Sequence, residues 1–180
     1  MRYKKLIIYG GTSEISQELI NLYFDITESF IIFCRNKEKF QELLKKKDLN
    51  EKIKAKIEII QVDLLNLNEN LDIIKKLEND ISGIFWIAGS TGDGIKEYEK
   101  KDEAEKNIRI NFLNPTIIIS EISKKMIKKN SSFVAVFTSV AGLRGRKKLM
   151  YYSSSKSGLI TFLSALRQKL FKDNILVTTI

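Results

Sequence analysis

The 180-residue sequence predicts one doubly wound α/β domain, a parallel sheet covered by helices on both faces. Three observations lead there. Apolar blocks alternate with amphipathic segments along the whole chain. The blocks are continuous rather than alternating, as strands buried on both faces require. The first block runs directly into Gly10-Gly11, at a strand-to-helix turn.

Taken in order, Leu6–Tyr9 is a short buried strand, and Ile15, Leu19, Ile20, Leu22 and Tyr23 follow at helical spacing. Phe30–Cys34 is a second strand, and Phe40, Leu43 and Leu44 mark a lysine-rich helix. Ile57–Val62 is a third strand ending in Asp63, and a helix covers Leu71–Leu77. Gly83–Ala88 is a fourth strand ending in Gly89. A long helical pattern then takes in Ile108, Phe112, Ile119, Ile122 and Met126. Phe133–Thr138 is a fifth strand, and Leu159, Phe162, Leu163, Leu166 and Leu170 stripe the next helix. Ile175–Ile180 is a sixth strand. There is no internal repeat and no Pro/Gly linker, so residues 1–180 form one domain. A buried parallel strand normally leads into a covering helix, so the fold is expected to continue beyond Ile180 with a last strand and C-terminal region.

Composition narrows the chemistry. The sequence has no histidine and one cysteine, Cys34. That excludes a Ser-His-Asp or Cys-His triad, a Cys/His zinc site and an internal disulfide, and no metal site is expected. Acid/base work near neutral pH must fall to a carboxylate, a lysine or a tyrosine. The formal charge is +9, but the lysines lie on polar helix faces or beside glutamates, and nucleic acid is not an expected partner. No signal peptide or membrane-spanning run is visible, and a cytoplasmic location is expected.

In a doubly wound sheet, ligands bind beyond the carboxyl ends of the strands. The segment Gly10-Gly11-Thr12-Ser13-Glu14-Ile15-Ser16 stands there and opens the first helix, whose N–H groups suit a pyrophosphate. Gly10, Gly11, Thr12, Ser13 and Ile15 are the candidate contacts. A plain strand-turn-helix with a Ser/Thr cap would read the same way. Rossmann-type sites that take NAD place an acid at the end of strand two, whereas an arginine accommodates the extra phosphate of NADP. Here Arg35 and Asn36 follow Cys34, which favours NADP over NAD.

Tyr152 and Lys156 open a helix thirteen positions after Ser139. They lie about 40° apart on one helical face, whereas Tyr151 and Lys156 are about 140° apart. An ammonium beside a phenol favours phenolate, so this pair is the most credible proton-transfer device in the chain. Pro115 falls four residues after Asn111 inside a helical pattern. It cannot donate to the Asn111 carbonyl, so a kink there with that carbonyl left free is expected; a helix irregularity without chemistry is the alternative.

Together these residues resemble the short-chain dehydrogenases/reductases over essentially the whole chain. The resemblance rests on the glycine turn, Asp63, Ala88-Gly89, Asn111, Ser139 and the Tyr152/Lys156 pair. It implies Tyr152 as general acid/base on a carbonyl or alcohol oxygen, and Lys156 lowering its pKa and holding the nicotinamide ribose. It implies Ser139 bonding the substrate oxygen and Asn111 completing a water-linked relay. Asp63 and Leu64 would contact the adenine, and Ala88-Gly89 would let the backbone pass close to NADP(H). Three positions depart from the family: Glu14 and Ser16 stand where it has glycine, and Trp86-Ile87 precede Ala88-Gly89 where it has asparagine.

The strings Gly-Gly-Thr-Ser-Glu-Ile, Ala-Gly-Ser-Thr-Gly-Asp and Ser-Val-Ala-Gly-Leu-Arg-Gly-Arg resemble a branch of reductases. Its members act with a flavin oxidase on decaprenylphosphoryl-ribose, epimerising the sugar through a keto intermediate. Arg144, Arg146, Lys147 and Lys148 then form a basic loop that would meet a substrate phosphate, or simply a solvated loop. A lipid-linked substrate implies peripheral membrane contact. The resemblance also implies a homodimer or homotetramer built on the helices at Asp102–Lys129 and Tyr152–Phe171. The expected function is NADP(H)-dependent exchange between a carbonyl and a secondary alcohol on a small-molecule substrate. The alternative is a non-catalytic dinucleotide-binding protein lacking a substrate lid.

Overall fold

Strand β1 (Tyr3–Tyr9) feeds α1 (Glu14–Tyr23), and β2 (Thr27–Cys34) feeds α2 (Lys37–Lys46). The computed structural model describes residues 2–46, 55–126, 128 and 132–180. Next come β3 (Ile57–Gln61), α3 (Leu67–Lys76), β4 (Gly83–Trp86) and two short helices, α4 (Gly94–Glu99) and α5 (Lys101–Ile108). A π turn over Arg109–Leu113 joins α5 to α6 (Asn114–Ser123). The chain closes with β5 (Ser132–Val136), α7 (Met150–Leu170) and β6 (Ile175–Thr179). The expected association helix runs to Lys129, but residues 127 and 129 lie outside the described residues.

All strand pairs are parallel, in the order β3-β2-β1-β4-β5-β6. Strand order reverses between β1 and β4, and a crevice opens there beyond the strand ends. Side chains alternate between two cores. Leu6 and Ile8 pack with Ile20 and Phe40 under α1 and α2, whereas Ile7 and Tyr9 pack with Ile118, Leu159 and Leu163 under α6 and α7. Leu6, Ile7 and Ile8 are fully buried, each contributing about 1.5–3 kcal/mol.

At the carboxyl ends of β2, β1 and β4 the same register makes an aromatic ladder. Tyr9 stacks between Phe33, at 4.2 Å between ring centres, and Trp86, at 4.5 Å. Such pairs add about 0.5–1.5 kcal/mol beyond burial. The buried Tyr9 hydroxyl donates to Asn70 Oδ1 at 3.2 Å, and burial pushes its pKa up.

Several boundaries differ from the sequence expectation. β2 starts at Thr27 rather than Phe30, and β4 ends at Trp86 rather than Ala88. The long helical pattern ending at Met126 is three segments, because Pro115 has no N–H for the Asn111 carbonyl and the ladder slips by one residue. Asn114 N–H then bonds to Arg109 O, five residues back. The expected kink is thus a π turn with Asn111 at its centre.

Candidate active site

The crevice at the switch point is an open groove of about 390 Å³. Of the expected cofactor residues it gathers Gly10, Thr12, Ser13, Arg35, Asp63, Leu64, Ala88 and Gly89. Gly10 adopts φ +101°, and a Cβ there would stand 2.8 Å from the Ala88 nitrogen. Only glycine lets β1 turn this tightly against the end of β4. Ser13 caps α1 by accepting from Ile15 N–H, so the first turn of that helix opens onto the groove. The two unusual side chains in this turn have plain solutions. Glu14 is exposed in the first helical turn, and buried Ser16 donates to the Gly10 carbonyl at 2.7 Å.

Five expected contacts do not line the groove: Gly11, Ile15, Asn36, Tyr152 and Lys156. Gly11 is buried, and a Cβ on it would collide with Ile32 Cγ2; its smallness serves packing of the turn on β2. Ile15 is 43% exposed on α1 and does not line the groove. Asn36 turns away to cap α2, its Oδ1 accepting from Lys39 N–H at 2.6 Å.

Asp63 and Leu64 are fixed from two sides. The Asp63 carboxylate accepts from Leu65 N–H at 2.9 Å, and its carbonyl accepts from Asn70 Nδ2 at 2.8 Å. Asn114, just after the π turn, donates to the Leu64 carbonyl at 2.6 Å. Sequence reasoning missed Ser90, Lys106 and Ile110, which also line the groove. Lys106 precedes Ile110 by four residues, one helical turn, and that spacing was the available signal. Cys34 lies on the groove floor, where burial pushes its thiol up.

Lys156 does not line the groove itself but stands beside Gly89, which does. It is 3% exposed, and its Nζ lies 5.7 Å from the centre of the Tyr152 ring. The same Nζ donates to the Phe137 carbonyl, just past β5, at 3.3 Å. It also lies 3.3 Å from the point where a Cβ on Gly89 would stand, and Asn111 Oδ1 lies 3.0 Å from that point. Gly89, Asn111, Tyr152 and Lys156 therefore meet where β4 and β5 end. Burial lowers the Lys156 pKa from 10.5 to about 8.

Ser139 caps a short turn at Val140–Gly142, its Oγ accepting from Ala141 N–H at 3.1 Å. Gly142 sits directly on α7, where a Cβ would stand 3.1 Å from Lys156 Cβ. Asn111, fully buried, binds both backbone groups of Ser90: its Nδ2 donates to the carbonyl at 2.7 Å and its Oδ1 accepts from the N–H at 3.0 Å. The basic loop at Arg144–Lys148 is exposed. Among the described residues, no cluster of His, Cys, Asp and Glu stands ready to hold a metal ion, and no helix is long and apolar enough to cross a membrane.

Known proteins are similar to this chain in sequence and in fold. The chain is 28% identical over 123 residues to the 3-oxoacyl-(acyl-carrier-protein) reductase FabG of Buchnera aphidicola, a match covering 65% of this chain and 50% of that protein. It is 25% identical over 180 residues to the FabG reductase of Chlamydia muridarum, covering 98% of this chain and 72% of that one. The chain thus spans about half the length of the first relative. A short chain dehydrogenase from Burkholderia cenocepacia, solved in complex with NADP, superposes with a TM-score of 0.80 at 14% identity, covering 99% of this chain and 71% of that one. The family model described as short chain dehydrogenase matches residues 4–180. The chain belongs to the short chain dehydrogenase family.

Proposed function

We propose that this protein is an NADP(H)-dependent reductase that converts a ketone to a secondary alcohol. The observation that carries the reading is the buried Lys156 ammonium between Tyr152 and the groove end at Gly89. Burying a lysine is unfavourable. A purely cofactor-holding role leaves unexplained why that penalty is taken next to a tyrosine.

The groove fits a dinucleotide. Its glycine turn at Gly10 and the first turn of α1 would cradle the pyrophosphate, and Asp63 and Leu64, which line the same groove, would meet the adenine. Arg35 is the exposed cation at the end of β2, suited to the extra phosphate of NADP. When bound there, NADPH supplies the hydride. Ser139 Oγ already accepts from Ala141 N–H, which leaves its own proton to donate to the substrate oxygen. Tyr152 gives its phenolic proton to the same oxygen as charge develops on it. Lys156 stabilises the resulting phenolate, and the Asn111 carbonyl, which Pro115 cannot engage, holds the water that refills the proton.

For the substrate we favour a 3-oxoacyl compound, the group named in the two FabG reductases above, and a thioester serves as its probe. The lipid-linked sugar reading keeps only the exposed basic loop at Arg144–Lys148 in its favour. We further propose a homodimer or homotetramer joined through the α5–α6 segment and α7. Purified protein mixed with NADPH and S-acetoacetyl-N-acetylcysteamine tests the function. Oxidation of NADPH that requires the ketone, and is slower with NADH, supports it; no oxidation with this or other 3-oxoacyl thioesters removes it.

A further inference from the structure

We propose that Glu97, acting through Asn107, is a positioning residue that braces the loop after β4 and so sets Gly89 and Asn111 against Lys156. The inference rests on the reductase reading above. Glu97 lies on α4, is 2% exposed and has no part in the chemistry just described. Its Oε1 accepts from Asn107 Nδ2 at 2.7 Å. The same amide nitrogen also donates to the Thr91 carbonyl at 3.3 Å. Asn107 Oδ1 in turn accepts from Asn111 Nδ2 at 2.9 Å. A buried chain thus runs from Glu97 through Asn107 and Asn111 to the backbone of Ser90.

Direction along this chain follows from donor and acceptor chemistry. A carboxylate only accepts, so the Asn107 amide must turn its N–H groups outward, to Glu97 and Thr91. Its carbonyl oxygen then faces Asn111. The loop fits the acid closely as well. Gly92 has φ +68°, and a Cβ on it would overlap Glu97 Oε1 and approach Asn107 Nδ2 to 2.7 Å. Gly94, one residue past the cap of α4, packs on the Lys148 carbonyl of the segment leading into Tyr152.

The test compares Glu97→Ala, Glu97→Gln and Asn107→Ala with the wild type, in the full protein. The first readout is hydrogen–deuterium exchange at the Ser90 and Gly92 amides, whose acceptors are Asn111 Oδ1 and Ser90 Oγ. Exchange there rises about tenfold in Glu97→Ala and Asn107→Ala and stays near wild type in Glu97→Gln, which keeps an acceptor for Asn107. The second readout is turnover of NADPH with S-acetoacetyl-N-acetylcysteamine. kcat falls about tenfold to a hundredfold in both alanine variants, KM for NADPH changes little, and Glu97→Gln recovers kcat to within about threefold. Unchanged exchange in both alanine variants overturns the brace whatever the turnover. A Glu97→Gln protein as slow as Glu97→Ala overturns it too, since charge rather than position would then matter. Wild-type protein inert towards NADPH and the thioester removes the reductase reading while leaving the exchange result to decide the brace.

Discussion

The ammonium of Lys156 lies 5.7 Å from the centre of the Tyr152 ring, four residues earlier on α7, and is buried by the ends of β4 and β5. Burial disfavours the charged lysine and brings its pKa down to about 8. Between about pH 8 and 10.5 the unfolded chain therefore binds more protons than the folded one, and stability rises with pH through that window. Below about pH 8 the penalty is fully present, on the order of 3 kcal/mol. Lys156→Met removes it together with the hydrogen bond to Phe137, worth about 1 kcal/mol. The variant should melt about 4–8 °C higher at pH 7, with the gap closing above about pH 10, and should have lost turnover. Thermal denaturation at two pH values checks this.

Turnover should carry the same signature. If the protonated lysine is what stabilises the Tyr152 phenolate, kcat/KM for ketone reduction is level below about pH 8 and falls above it. A pH–rate profile checks the direction. A rate that climbs through pH 9 contradicts the assignment.

Gly10 is held at φ +101° with the Ala88 backbone 2.8 Å from any added Cβ. Gly10→Ala should lower the melting temperature by about 4–8 °C and weaken NADPH binding more than tenfold. Gly145, around which a Cβ finds open space within 4 Å, is the control, and its alanine variant should match wild type.

On the proposed reading, Arg35 selects between the two nicotinamide cofactors. Arg35→Leu should raise the Kd for NADPH about tenfold to a hundredfold, the worth of a charge-assisted phosphate contact, and leave NADH binding unchanged. Fluorescence titration with each cofactor measures it. Equal weakening of both would place Arg35 away from the phosphate.

What could be read from the sequence followed from local rules. The parallel sheet came from continuous apolar blocks, the groove from the glycine turn at the end of the first of them, and the Tyr152/Lys156 pair from helical geometry over four residues. Pro115 announced a defect at Asn111, but not that the ladder would slip by one residue into a π turn. Gly11 misled because glycine serves turns and close packing alike, and only the position of Ile32 separates the two. Asn36 has a local role that the sequence reading did not give it, capping α2 through its Oδ1. Glu97 was out of reach, and Lys106 offered only its spacing to Ile110. The first is buried by a loop that folds back over it, and the second reaches the groove only once α5 is docked.

The most direct test of the whole account is a single-turnover measurement with Tyr152→Phe. This variant keeps the ring beside Lys156 and removes only the hydroxyl. NADPH should bind within about threefold of wild type, while the hydride-transfer rate to S-acetoacetyl-N-acetylcysteamine falls about a hundredfold to ten-thousandfold. A Tyr152→Phe protein that reduces the ketone at the wild-type rate would contradict the account.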